Sequence, residues 1–89
     1  GMDLTMEHQI PMSDAVLGAT HTITMLDDKK LDVKIPAGTS DGTILRVSGR
    51  GIDTGRSKGN LLITVSIRIP KKLSKKAKEA MEVLQSEGY

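Results

Sequence analysis

Cysteine, phenylalanine and tryptophan are absent from these 89 residues, and the single aromatic ring is Tyr89. Without cysteine there is neither a disulfide framework nor a thiolate metal site, which fits a reducing compartment and sets the expectation of a cytoplasmic protein. Without rings along the strands no platform exists on which bases could stack, and a formal net charge of +2 is small for phosphate binding. Nucleic acid is therefore not the expected partner, although the basic isoelectric point keeps a small RNA-binding β-domain as the rival reading. No apolar run approaches the roughly 20 residues that span a bilayer, so no membrane partner is expected. The interior has to be built from nine Leu, eight Ile, five Val and five Met, in a chain long enough for one core. Gly1 ahead of Met2 is not a natural translation start and reads as an expression remnant over residues 1–2, which sets the expectation that the rest is a piece of something longer.

What is present is period two. Leu61, Ile63, Val65, Ile67 and Ile69 alternate with Leu62, Thr64, Ser66 and Arg68 before Pro70, which has no N–H to give to a ladder. The partly polar second face predicts an antiparallel sheet, wet on one side. Residues 4–10 alternate in the same way, with His8 the anomaly on the face of Leu4, Met6 and Ile10. Ser13 is the expected cap of a short helical turn stopped by Gly18, with Met12 and Leu17 spaced as a hydrophobic staple. Residues 19–26 and 31–35 read as an antiparallel hairpin turning at Asp27-Asp28, residues 35–38 as a type I turn, and residues 43–47 as a further strand. The glycine-rich residues 48–59 read as a mobile loop.

After Pro70 the period becomes helical. Leu73, Ala77, Ala80, Met81 and Leu84 fall on one stripe, Ser74 is the expected N-cap and Gly88 follows the last turn. Lys75, Lys76 and Lys78 crowd the positive end of the helix dipole, while Glu82 and Glu87 lie toward the negative end, so this helix needs packing to persist. Periodicity alone slightly favours docking on its own sheet. The opposed dipole, and a stripe that runs on to Leu84, favour a second copy of the chain.

Chemical motifs are sparse. Gly38-Thr39-Ser40-Asp41-Gly42 matches a nucleophile-elbow pattern, but that elbow needs a strand before it, a helix after it and a histidine downstream, and none follows. The glycines from Gly49 to Gly59 fit neither phosphate-loop signature and open a strand rather than a helix. His8 and His21 share no ligand spacing with each other or with an acid on one helix face; each reads as a rim histidine with a hydrogen-bond partner rather than a metal ligand. No enzyme, cofactor or metal is expected.

The words of the sequence carry more. Ala15-Val16-Leu17-Gly18, Ile35-Pro36-Ala37-Gly38-Thr39, Gly42-Thr43-Ile44-Leu45-Arg46-Val47, Gly49-Arg50-Gly51, Gly59-Asn60-Leu61-Leu62 and Ile69-Pro70-Lys71-Lys72-Leu73 stand in the order and spacing of the DnaJ family. The chain resembles the second C-terminal domain of DnaJ-type co-chaperones with the start of the terminal dimerisation helix. The resemblance implies a small, mainly β sandwich of two antiparallel sheets over residues 3–70, with one short helix, and an amphipathic dimerisation helix over residues 71–89. It implies a homodimer through Leu73, Ala77, Ala80, Met81 and Leu84, and a non-enzymatic part in protein folding: holding unfolded clients while a separate J domain engages a DnaK-type heat-shock chaperone. The J domain's His-Pro-Asp signature does not occur in these residues. By analogy with the family's first C-terminal domain, clients would lie along Thr22, Ile23, Thr24 and Met25. Departures from the family pattern are His8, where an aliphatic is usual, Asp28, where a turn glycine is usual, and the lack of an aromatic near Thr5 or Met12.

Overall fold

A computed structural model describes residues 2–25 and 27–89, so the parts of the sequence reading that fall on Gly1 and Leu26 lie outside the described residues. The chain runs β1 (Leu4–Pro11), α1 (Met12–Leu17), β2 (Ala19–Thr24), β3 (Lys30–Ile35), β4 (Ile44–Val47), β5 (Leu61–Arg68) and α2 (Lys75–Ser86). Two sheets form, one in the order β1-β5-β4 and one of β2 and β3. This is the small two-sheet, mainly β architecture that the family resemblance implies, built from the strands that the alternating patterns predict.

The pattern of β5 is realised from Leu61 to Ser66 and fades beyond it: Ile67 is half-buried, and Ile69, past the end of the strand at Arg68, is 68% exposed. Leu61, Ile63 and Val65 are buried, while Leu62, Thr64 and Ser66 on the other face are half-buried. They join Ile10, Ala15, Ile23, Val33 and Ile35 in a single aliphatic core between the sheets. Each fully buried Ile or Leu contributes roughly 1.5–3 kcal/mol relative to exposure, which is how a chain without Phe or Trp closes an interior.

One pairing differs from expectation. β5 pairs antiparallel with β4 but parallel with β1, from Leu4 opposite Leu61 to Pro11 opposite Arg68, so the larger sheet is mixed. A parallel pair needs a long crossover. Here the crossover is the whole of α1, the β2–β3 hairpin and β4, which lays the second sheet over the first on the way.

The helical turn also starts earlier than its composition suggests. Pro11 is the N-cap, α1 begins at Met12, and no side chain caps it; Ser13 is the second helical residue. Leu17 is 78% exposed, so the staple with Met12 does not form. The C-terminal carbonyls of α1 are satisfied from elsewhere: Gly18 N–H donates to Asp14 O at 2.8 Å, Thr39 N–H to Ala15 O at 2.9 Å and Gly38 N–H to Val16 O at 3.2 Å. The segment after β3 therefore caps α1 through the Gly38 amide. Gly18 itself has φ 82° and ψ 154°, a region open essentially to glycine, and a Cβ there would lie 3.1 Å from Ala37 N.

The β2–β3 hairpin closes as expected, with Asp28 at φ 63° taking the left-handed conformation that glycine would otherwise supply. The glycine-rich stretch is tied down rather than loose. Ile52 N–H donates to Met2 O at 2.7 Å, Gly51 N–H to Gly59 O at 3.0 Å and Gly59 N–H to Ile52 O at 3.1 Å. Gly59 is buried against the backbone of Met2 and Asp3, where no side chain would fit. Glycine is needed there for close approach, not for mobility.

Candidate functional site

Helix α2 is capped as its sequence predicts: Ala77 N–H donates to Ser74 Oγ at 3.1 Å, and Gly88 follows the last turn at φ 91°. Its first turn holds no acidic residue and its last turn no basic one, so its charges oppose the dipole. None of its residues is buried. Leu73, Ala77, Ala80, Met81 and Leu84 come together on one side of an open cleft of about 290 Å³, with Pro11, Met12, Ser13, Arg68 and Pro70 forming the rest of its lining. Leu73 remains 41% and Leu84 44% exposed and Ala80 is exposed, whereas Ala77 and Met81 are half-buried, so the stripe is gathered and only partly covered by its own chain.

Strand β2 splits the second predicted set. Thr22 and Thr24 are exposed, with the Thr22 hydroxyl donating to Asp32 Oδ1 at 2.7 Å, whereas Ile23 is 5% exposed and belongs to the core. Thr24 and Met25 line a groove of about 170 Å³ together with Leu4, Thr5, Met6 and Leu61. The groove therefore lies where the end of β2 meets the start of β1. Within its sheet β2 pairs only with β3, leaving one backbone edge without a strand.

The two histidines meet. His8 projects from the inward face of β1 and His21 from β2, and their rings stand edge to face with centroids 5.0 Å apart. His8 Nε2 lies 2.8 Å from His21 Nδ1, and His21 Nε2 lies 2.8 Å from Asp14 Oδ2 on α1. With both rings neutral, one proton arrangement satisfies both contacts: His8 Nε2–H donates to His21 Nδ1, and His21 Nε2–H donates to the Asp14 carboxylate. Burial pushes the His8 imidazole below its usual value, and the neighbouring His21 adds in the same direction. The sequence reading foresaw a rim histidine with a partner but not that the partners are each other. The available signal was that both occupy inward positions on strands flanking α1. Among the described residues, no cluster of three or more His, Cys, Asp or Glu could hold a metal ion.

Ser40 stands in an exposed turn, its carbonyl accepting from Thr43 N–H at 3.1 Å. Among the described residues no helix is long and apolar enough to cross a membrane.

The described residues thus form two sheets around an aliphatic core, followed by an amphipathic helix none of whose residues is buried. The sequence pattern of the DnaJ C terminal domain matches residues 1–70, and the chain belongs to that family. It is 41% identical over 87 residues to the chaperone protein DnaJ of Treponema denticola, covering 97% of this chain and 23% of that protein. It is 42% identical over 90 residues to the chaperone protein DnaJ of Leptospira biflexa serovar Patoc, covering 99% of this chain and 24% of that protein. Against chaperone protein DnaJ 2 of Nocardia farcinica the identity is 43% over 83 residues, covering 92% of this chain and 21% of that protein. The chain thus spans about a quarter of the length of these relatives.

Proposed function

We propose that this chain is the part of a DnaJ-type co-chaperone that joins two protomers and holds unfolded client polypeptides, in the cytoplasm, for a DnaK-type chaperone. The observation that supports the reading is the apolar stripe along α2, which its own chain covers only in part: Leu73, Ala80 and Leu84 stay exposed. A 12-residue helix with an unfavourable charge order is marginal alone in water. Docking against the same helix of a second protomer would bury Leu73, Met81 and Leu84, at roughly 1.5–3 kcal/mol per side chain, and a two-fold interface counts each contact twice. Clients would add an extended segment to the unpaired edge of β2 and place apolar side chains in the groove of Leu4, Met6, Met25 and Leu61. Thr22 and Ile23 would then contribute backbone, and Thr24 and Met25 side chains. Sedimentation equilibrium tests the dimer. The wild type is expected to associate weakly with rising concentration, and Met81→Asp/Leu84→Asp to stay monomeric with its β-sheet circular dichroism unchanged. A wild type that remains monomeric throughout would overturn the interface.

A further inference from the structure

Leu4, Met6, His8 and Ile10 face inward from β1, and Ala19, His21 and Ile23 from β2. The two strands run past each other along one seam. Toward one end of it stand the rings of His8 and His21, anchored to α1 by Asp14. At the other end Leu4 and Met6 meet Thr24 and Met25 at the apolar groove. Apart from these rings the interior is aliphatic, and the described core contains no buried polar or charged residue. The rings stand at the partly exposed rim of that interior, with the His21 side chain 18% and the Asp14 side chain 33% exposed, and they form a hydrogen-bonded chain across the seam.

The proton logic is set by the geometry. With no added proton both contacts are satisfied. With one, His21 becomes an imidazolium donating to Asp14 on one side and to His8 Nε2 on the other, while His8 moves its remaining proton to Nδ1; both contacts survive and both become charge-assisted. With a second proton, His8 Nε2–H and His21 Nδ1–H point at each other across 2.8 Å, as two cations. No tautomer then satisfies the contact. We propose that Asp14, His21 and His8 form an acid-sensitive latch across the β1–β2 seam, closed with up to one added proton and opened by the second, which frees α1 and widens the groove at Leu4 and Met25.

Other charges do not rescue the doubly protonated state. On β1, Glu7 points to the opposite, exposed face; on β3, Asp32 and Lys34 flank Val33 and are exposed; on β5, the residue opposite His8 is Val65, and Arg68 lies exposed opposite Pro11. From α1 only Asp14 reaches the rings, and it already faces His21. Its carboxylate offsets one positive charge, not two. Burial first, and the neighbouring His21 second, hold the His8 imidazole below its usual value, the direction in which the geometry also acts. The latch stands whether or not the groove holds clients.

The test is a proton and carbon NMR titration of both imidazoles in the wild-type chain, with amide hydrogen exchange followed over the same pH range. Two coupled steps separated by more than about one pH unit are expected, the first moving both rings together. On the second step, protection of the Gly18, Gly38 and Thr39 amides, which the α1 carbonyls hold, should fall about tenfold or more, while the Val65 amide, held by Thr43 O, keeps its protection. His8→Leu should abolish both the lower step and the loss of protection. Independent titration of the two rings at nearly the same pH would overturn the latch. So would unchanged protection in the wild type, or the same acid-induced loss in His8→Leu. Because the wild-type titration decides by itself, a poorly folding variant does not leave the matter open.

Discussion

Val65 lies opposite His8 in the parallel register of β1 and β5, so a fully buried position of the central strand sits beside the only polar side chain on the inward face of β1. That neighbourhood explains why the imidazole turns across the seam to His21: its own sheet offers aliphatic surface and no acceptor.

Truncation at that position should be felt. Val65→Ala removes two buried methyl groups and is expected to destabilise by about 1–3 kcal/mol, whereas Thr64→Ala, one residue earlier and half-buried on the outer face, should change little. Urea midpoints at constant m-value measure both. Equal losses would mean that the two faces of β5 do not differ.

Gly18 is held by conformation and by contact together. Gly18→Ala places a Cβ at φ 82° and 3.1 Å from Ala37 N, and should lose at least about 1–3 kcal/mol. Gly38→Ala shares the positive φ but meets nothing within 4 Å, so its loss should be smaller. Thermal unfolding of the two variants side by side gives the order.

The contribution of His8 to stability should decline in acid. His8 binds its proton less readily folded than unfolded, so unfolding takes up a proton as pH falls below the unperturbed value of about 6.5, and this contribution to stability shrinks until the folded-state value is passed. Above that window it is constant. Unfolding free energy should fall more steeply with acid in the wild type than in His8→Leu once the pH drops below about 6.5 and through the lower imidazole step; parallel curves would contradict the assignment.

The 89 residues carry no His-Pro-Asp signature. At saturating concentration they are accordingly expected to leave the ATPase rate of a DnaK-type chaperone unchanged while slowing aggregation of an unfolded client. ATPase stimulation by this chain alone would contradict the division of labour assigned to it.

Local pattern carried much of the fold. The strands announced themselves by alternation, and α2 by its stripe, its Ser74 cap and Gly88, because each signal lies within a few residues of its effect. Strand pairing was not legible. The partly polar outer face of β5 pointed to antiparallel neighbours, but a wet face reports solvent and not the direction of the adjoining strand, and the parallel partner β1 is remote in sequence. The start of α1 was missed because Pro11 at φ −61° and ψ 146° serves as the cap without a side-chain bond, leaving Ser13 as the more conspicuous but wrong candidate. The histidine chain was hidden for a geometric reason: His8 and His21 stand on separate sheets, and only the stacking of β1 over β2 brings their nitrogens together.

The parallel register of β1 and β5 has a temporal side. Leu4 and Leu61 are 57 residues apart along the chain, so during synthesis β1, α1 and the β2–β3 hairpin all emerge before the strand that completes their interior exists. Closing a loop of that length costs about 3.6 kcal/mol in chain entropy from its length-dependent part alone, before any contact across it is rewarded. The aliphatic faces of Met6, Ile10 and Ile35 stay uncovered in the nascent chain until residues 61–68 arrive. A domain of the DnaJ family is thus, for that interval, a chain of the very kind its family is proposed to hold.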